Sequence, residues 1–324
     1  MKVLFLVQDE QKVILDALYA AIGEHCECDL RRLSSEEQAD LSGYFKRHVS
    51  ADNYDRILFF LRFKKELNQI DFIRTVPNLV TLEHDACQNY ASGKYKGYFS
   101  YYYQSIPWIR VICSGFMLAQ RLKAEGTDAI CVPKGYDAQL LKNENLLRDI
   151  ELGFIGSLGA DTYSGRKQLL NEIQQRESLS IMVTAPGYEY AACLNRIRFF
   201  VSADVGFDEY MIKNFEAMAC GCVLFTYSQS DLENEALGFL DMQNVVLYRS
   251  VDEFCAKLNL LRNNPTLAQA IALRGQAWVE KCYSFSVIGK KIVDALSQPL
   301  QKAEHGKRSI FDTLRLRWKL HSSR

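Results

Sequence analysis

The chain has 324 residues, 39 Lys and Arg balance 39 Asp and Glu, and 48% of the residues are hydrophobic. A formal net charge of zero excludes a chain-wide polycation built to coat nucleic acid, and the apolar share is that of an ordinary soluble globular protein. The length exceeds what one hydrophobic core usually serves, so two domains are expected.

The opening run Met1–Val7 is too short for a signal-peptide core, and Gln8-Asp9-Glu10 follows it at once. No apolar run approaches the length of a membrane span, so a cytoplasmic protein is expected. The ten cysteines are scattered without a C-x2-C pair, which argues against structural zinc and for reduced thiols packed as small hydrophobes.

Taken in chain order, Lys2–Val7 reads as a fully buried strand, followed by a helix through Val13, Leu15, Leu18 and Ile22. Asp55–Leu61 is a second strand, Lys64–Ile73 is helical, and Leu79–Leu82 and Ile109–Cys113 are strands. Ser114 fits the N-cap of a helix Phe116–Glu125. Ala129–Pro133 is a further strand, closed by the turn Lys134-Gly135-Tyr136-Asp137, where Gly135 could supply a positive φ. The polar stretch Lys142–Asp149 reads as a connection, and the pattern then restarts. Strands are expected at Leu152–Gly156, Leu179–Thr184, Arg198–Ser202, Val223–Thr226 and Val245–Tyr248. Helices are expected at Ser164–Arg176, Tyr210–Cys220, Val251–Arg262 and Leu267–Lys281. The alternation defines an α/β protein of two Rossmann-like, doubly wound domains, 1–148 and 149–296, facing a cleft. A basic tail, 297–324, follows. From Lys302 onward it holds seven Lys or Arg against two acids, with Ile310, Phe311, Leu314 and Trp318 at helical spacing. An amphipathic helix on an anionic membrane surface, a helix packed back on the first domain and a disordered tail all fit it.

The densest chemistry lies in Asp208–Gly221. Asp208 precedes Glu216 by eight positions, and Glu216 opens an Ala-Met-Ala-Cys-Gly run that ends a helix. Amides at the start of that helix, from Tyr210, Met211 and Ile212, would suit a phosphate ligand. Lys213 lies three residues before Glu216, on the same helix face. Asp208 reads equally as an acid that favours the helix dipole, with Glu209 one residue away as its competitor. Tyr95, Tyr98, Phe99, Tyr101, Tyr102 and Tyr103 form an aromatic run suited either to sugar or lipid contact or to packing.

Five ordered segments resemble glycosyltransferases of the GT-B fold, family 4-like, and in wording the spore-maturation-protein-like subgroup. They are Asn78–Asp85 with its His-Asp pair, Val132–Asp137, Gly153–Ser157 with Arg166-Lys167, Asp208–Gly221 in the manner of a Glu-x7-Glu motif, and Ser250–Phe254 with Asn264-Pro265 and Tyr283-Ser284-Phe285. The resemblance implies a nucleoside-diphosphate sugar as donor substrate and no required cofactor. No Asp-x-Asp metal motif stands out. The acceptor implied is a glycan or a lipid-linked sugar in cell-surface polysaccharide synthesis, with a retaining outcome favoured.

The resemblance assigns Glu216 to the ribose hydroxyls, and His84, Asp85 and Asp208 to the reacting centre. Gly156, Ser157, Arg166, Lys167, Lys213 and the three amides go to the donor. Pro186-Gly187-Tyr188 is the expected neighbour of the base. Asp208 replaces the usual Glu and Lys213 the usual Arg, and the loop Gln8–Gln11 lacks the glycines many such proteins carry there. A nucleotide-sugar epimerase and a non-catalytic binding protein are the rival readings.

Overall fold

The computed structural model describes residues 1–10, 13–158 and 164–301. The basic segment 302–324 lies outside the described residues. Among those described, no helix is long and apolar enough to cross a membrane.

Two parallel sheets carry the structure. The first contains β1 (Lys2–Gln8), β2 (Glu27–Leu33), β3 (Arg56–Phe60), β4 (Leu79–Glu83), β5 (Arg110–Cys113) and β6 (Asp128–Cys131), in the order β2-β1-β3-β4-β5-β6. The second contains β7 (Ile150–Ile155), β8 (Ser180–Met182), β9 (Ile197–Ser202), β10 (Val223–Tyr227) and β11 (Val246–Tyr248), in the order β11-β10-β9-β7-β8. In each, the chain steps to one side of the first strand and then to the other. The switch points therefore lie between β1 and β3 and between β7 and β9, where open α/β sheets bind ligands at the carboxyl ends of their strands. Val3–Val7 of β1 are wholly buried, as a strand covered by helices on both faces must be. This is the expected two-sheet GT-B architecture.

Local differences from the sequence expectations have physical reasons. β2 was not expected, because its Glu-Cys-Asp-Leu-Arg-Arg-Leu sequence has the polar character of an edge strand. The helix expected over Lys64–Ile73 is two short helices, Phe63–Leu67 and Ile70–Ile73. Ser114 does not cap the helix Phe116–Ala124. Gly115 holds the cap position, and Glu233 reaches across to accept the amides of Phe116 and Met117 at 3.2 and 2.8 Å. Of the aromatic run, Phe99, Tyr102 and Tyr103 are core residues. Phe63 stacks on Phe99 with ring centroids 3.7 Å apart, and the Tyr102 hydroxyl donates to buried Glu66 at 2.7 Å.

The closing helix Phe285–Ser297, placed by the sequence in the second unit, packs on the side of the first sheet. It lies against the helix Asp16–Gly23, and a Cβ at Gly289 would come within 2.7 Å of the Ala21 carbonyl carbon. Arg56 and Arg110 close its end, donating to the carbonyls of Leu296 at 2.7 Å and Ala295 at 3.0 Å, while Arg110 also pairs with Asp128 at 2.8 Å. These guanidinium groups satisfy carbonyls that a helix terminus otherwise leaves orphaned. Gly135 has ordinary backbone rather than a positive φ; a Cβ there would collide with the Tyr283 carbonyl oxygen, at 2.4 Å. Close packing at the return crossing is the reason for this glycine.

Gly289→Val is therefore expected to destabilise the protein by about 1–3 kcal/mol through overpacking. Chemical denaturation would show a lowered midpoint, and an unchanged midpoint would refute this contact.

Candidate active site

The loop from β9 to the helix Ile212–Ala219 organises the second sheet's ligand edge. Asp204, two residues beyond β9, is buried and accepts four hydrogen bonds. Ser202 Oγ, Met211 N and Asn214 Nδ2 meet its Oδ2 at 3.0, 3.1 and 2.7 Å, and Arg166 Nη2 meets Oδ1 at 2.9 Å. Three donors converge on Oδ2 and one, a guanidinium, on Oδ1, so both oxygens are satisfied. A buried charge is tolerable on such terms. The result is a closed loop whose turns aim its neighbours.

Asp208 has a left-handed backbone, φ 54, which Asp adopts more readily than most residues. The turn sends its side chain outward to Arg121 of the helix Phe116–Ala124, at 2.7 Å, with both groups largely exposed. The next residue, Glu209, turns inward and is completely buried. Its carboxylate pairs with the Lys134 ammonium and accepts from Ser114 Oγ at 3.2 Å. Lys134 and Ser114 follow strands of the first sheet, so this buried pair bridges the two units. Burial opposes the charge on Lys134, but the Glu209 carboxylate more than compensates and holds the ammonium above its ordinary range.

A cavity of about 280 Å³ opens between the switch points. Val13 and Ile14 reach it from the loop after β1, and Asp137, Leu140 and Leu141 from the approach to the connection. Ile155, Gly156 and Ser157 follow β7, and Val183, Thr184, Pro186 and Gly187 follow β8. Tyr190, Ile212, Lys213, Glu216 and Phe285 complete the wall. The chemistry is a largely apolar slot with two carboxylates, Asp137 and Glu216, one ammonium, one phenol and the hydroxyls of Ser157 and Thr184, the usual composition of a small-molecule site.

Glu216 is nearly buried, and the Tyr190 hydroxyl donates to its Oε2 at 2.6 Å. Burial raises the pKa of this carboxyl, against the opposing effects of the Tyr190 bond and of Lys213. The Lys213 ammonium donates to the Ile155 carbonyl and lies 5.8 and 5.9 Å from the Phe154 and Tyr190 ring centroids. It passes over Gly156, where a Cβ would stand 2.7 Å from Nζ. The absence of a side chain at Gly156 is what lets the ammonium in.

The cavity thus brings together Gly156, Ser157, Ile212, Lys213 and Glu216 of the residues expected from sequence. The others stand elsewhere. Arg166 is buried against Asp204, and Lys167 is exposed on the same helix. Tyr210 is buried away from the cavity lining, and the Met211 amide is committed to Asp204. The helix begins at Ile212, two residues later than expected, because Met211 is its cap. Asp208 sits at the seam between the units. His84 is half-buried at the end of β4 with its ring edge-on to Phe60, centroids 5.1 Å apart, and Asp85 beside it is exposed. Of the loop expected at the base, Pro186 and Gly187 line the cavity, whereas Tyr188 is 86% exposed. Tyr190, Asp204 and Lys134 make buried polar contacts around the site that were not expected from sequence. Asp204 had a signal in its place just after a buried strand and before a helix; Tyr190 had none, since nothing in the spacing of its helix Tyr188–Arg196 points to Glu216.

These features place the chain among proteins of the GT-B glycosyltransferase fold. Residues 159–294 match the family model described as glycosyl transferase-like. No curated protein matches the chain in sequence. Among solved structures it is similar to HepE of Anabaena in complex with UDP and glucose, at a TM-score of 0.69 and 14% identity over 92% of this chain and 100% of that one. Sucrose-phosphate synthase of Thermosynechococcus elongatus is similar at 0.65 and 10% identity over 91% and 98%. TarM of S. aureus, in complex with fondaparinux, alpha-GlcNAc-glycerol and UDP, is similar at 0.57 and 12% identity over 79% and 58%. At these identities the likeness establishes the fold.

Two outcomes test the electrostatics. Lys134→Met strands the Glu209 carboxylate and should cost about 3–5 kcal/mol, whereas Lys134→Met with Glu209→Leu should recover most of that loss; a double-mutant cycle by denaturation measures both. Burial and the nearby Lys134 ammonium push His84 down to about 3. Its ring is therefore neutral above that value, and its NMR signals should not titrate between about pH 5 and 8, the range of an ordinary histidine. A midpoint near 6.5 would contradict this.

Proposed function

We propose that this chain is a glycosyltransferase that takes a sugar from a nucleoside-diphosphate donor and passes it to a glycan or lipid-linked acceptor. The observation that carries the reading is the cavity between the two switch points, where Glu216 and Lys213 face an apolar slot on a GT-B fold. The UDP and UDP-glucose bound by HepE favour a UDP-sugar as donor.

In this reading Glu216 accepts hydrogen bonds from the ribose, and the base lies against Ile155, Val183, Pro186 and Gly187. The diphosphate meets Lys213 and the start of the helix Ile212–Ala219, where free amides and the helix dipole favour negative charge. Such preorganised groups stabilise the charge that develops on the departing nucleotide. Ser157 adds a donor at the cavity, and Arg166 and Lys167, on the neighbouring helix, contribute positive charge rather than direct contact. The first unit presents the acceptor. His84, held neutral, can accept a hydrogen bond from the acceptor hydroxyl or bond the sugar, with Asp85 beside it. Asp208, tethered by Arg121 at the seam, is assigned to the transferred sugar. A retaining outcome is part of the proposal. So is a place at the inner face of a membrane, reached through the basic segment 302–324.

Calorimetry with a panel of nucleoside diphosphates and their sugars tests this. UDP should bind the wild type, Glu216→Ala should lose that binding, and Asp208→Ala should keep UDP affinity while losing turnover. Failure of every nucleotide to bind would sink the enzyme reading.

A further inference from the structure

We propose that Tyr190 is a positioning residue for the nucleotide ribose: its phenol occupies one oxygen of Glu216 and turns the other toward the cavity. The inference rests on the reading that Glu216 receives the ribose hydroxyls.

Glu216 and Tyr190 stand on different helices and both line the cavity. The 2.6 Å separation is that of a hydroxyl donating to an ionised carboxylate. Among the described residues, the Tyr190 phenol is the one hydrogen-bond donor to this carboxylate, and Oε1 accepts none. Lys213 is near enough to influence Glu216 electrostatically, but its ammonium is bound to the Ile155 carbonyl instead. The carboxylate is thus oriented by the phenol alone. The phenol is itself placed by Gly187, whose φ of 90 makes the turn that starts the helix Tyr188–Arg196. With Oε2 occupied, Oε1 remains to accept from the ribose. A carboxylate oriented in advance loses less freedom when the ligand binds. Tyr190 touches no reacting atom in this scheme and acts through Glu216.

Tyr190→Phe keeps the ring and removes only the hydroxyl. UDP and 2′,3′-dideoxy-UDP are titrated by calorimetry into the wild type and this variant, at several pH values. The wild type should prefer UDP. The variant should lose about tenfold in UDP affinity, the scale of one hydrogen bond to a charged group, while its affinity for dideoxy-UDP changes little. Its KM for the donor should rise more than its kcat falls. Because burial raises the Glu216 carboxyl and the phenol opposes that rise, removing the phenol should shift the acid limb of UDP binding to higher pH. In a Glu216→Gln background, Tyr190→Phe should have little further effect. If the wild type prefers UDP and Tyr190→Phe leaves affinity, preference and acid limb unchanged, the positioning role is overturned while the Glu216 assignment stands. If the wild type binds both nucleotides equally, the ribose assignment fails and takes this inference with it. Equal losses for UDP and dideoxy-UDP would mean a purely structural phenol and would also overturn it.

Discussion

The geometry of the ligand edge depends on one buried carboxylate. Asp204 gathers a side chain from its own strand end, an arginine from the helix before β8, and two groups from the start of the helix that bears Glu216. Without those four donors, burying the charge would be prohibitive. With them, the loop can close only one way. Met211 becomes the helix cap, Lys213 and Glu216 face the cavity, and Arg166 is held beneath the loop. Asp204 itself need not touch a ligand for all of this to follow.

The same loop couples the two units. Adjacent residues leave it in opposite directions, Asp208 to Arg121 at the surface and Glu209 to Lys134 in the interior. Glu233 adds a third crossing through the amides of Phe116 and Met117. The outer pair is exposed and of modest energetic weight. The inner pair is desolvated, and neither partner is tolerable without the other. The loop after β9 is thus keyed to the strand ends of the opposite sheet. That arrangement keeps the proposed donor and acceptor residues in register across the seam.

Much of the fold was legible in the sequence. Strands buried on both faces announce themselves as apolar runs, and Lys2–Val7, Asp55–Leu61 and Val223–Thr226 all fall on observed strands. β2 was not legible because an edge strand with alternating charge resembles a solvated loop. The site divides the same way. Lys213 and Glu216 lie on a helix, where spacing determines which face a residue presents, and both line the cavity. Asp208 lies in the turn before that helix, where one left-handed residue reverses the outlook of its neighbour. A spacing of eight cannot say which of Asp208 and Glu209 faces inward. Tyr190 could not be anticipated, since its importance arises only when two helices distant in sequence meet.

The most direct measurement is a crystal structure with UDP bound. The account predicts the ribose hydroxyls within hydrogen-bond distance of Glu216 Oε1, the Tyr190 phenol still on Oε2, and the diphosphate at Lys213 and the start of the helix Ile212–Ala219. A nucleotide bound away from this cavity, or one whose ribose turns from Glu216, would contradict it.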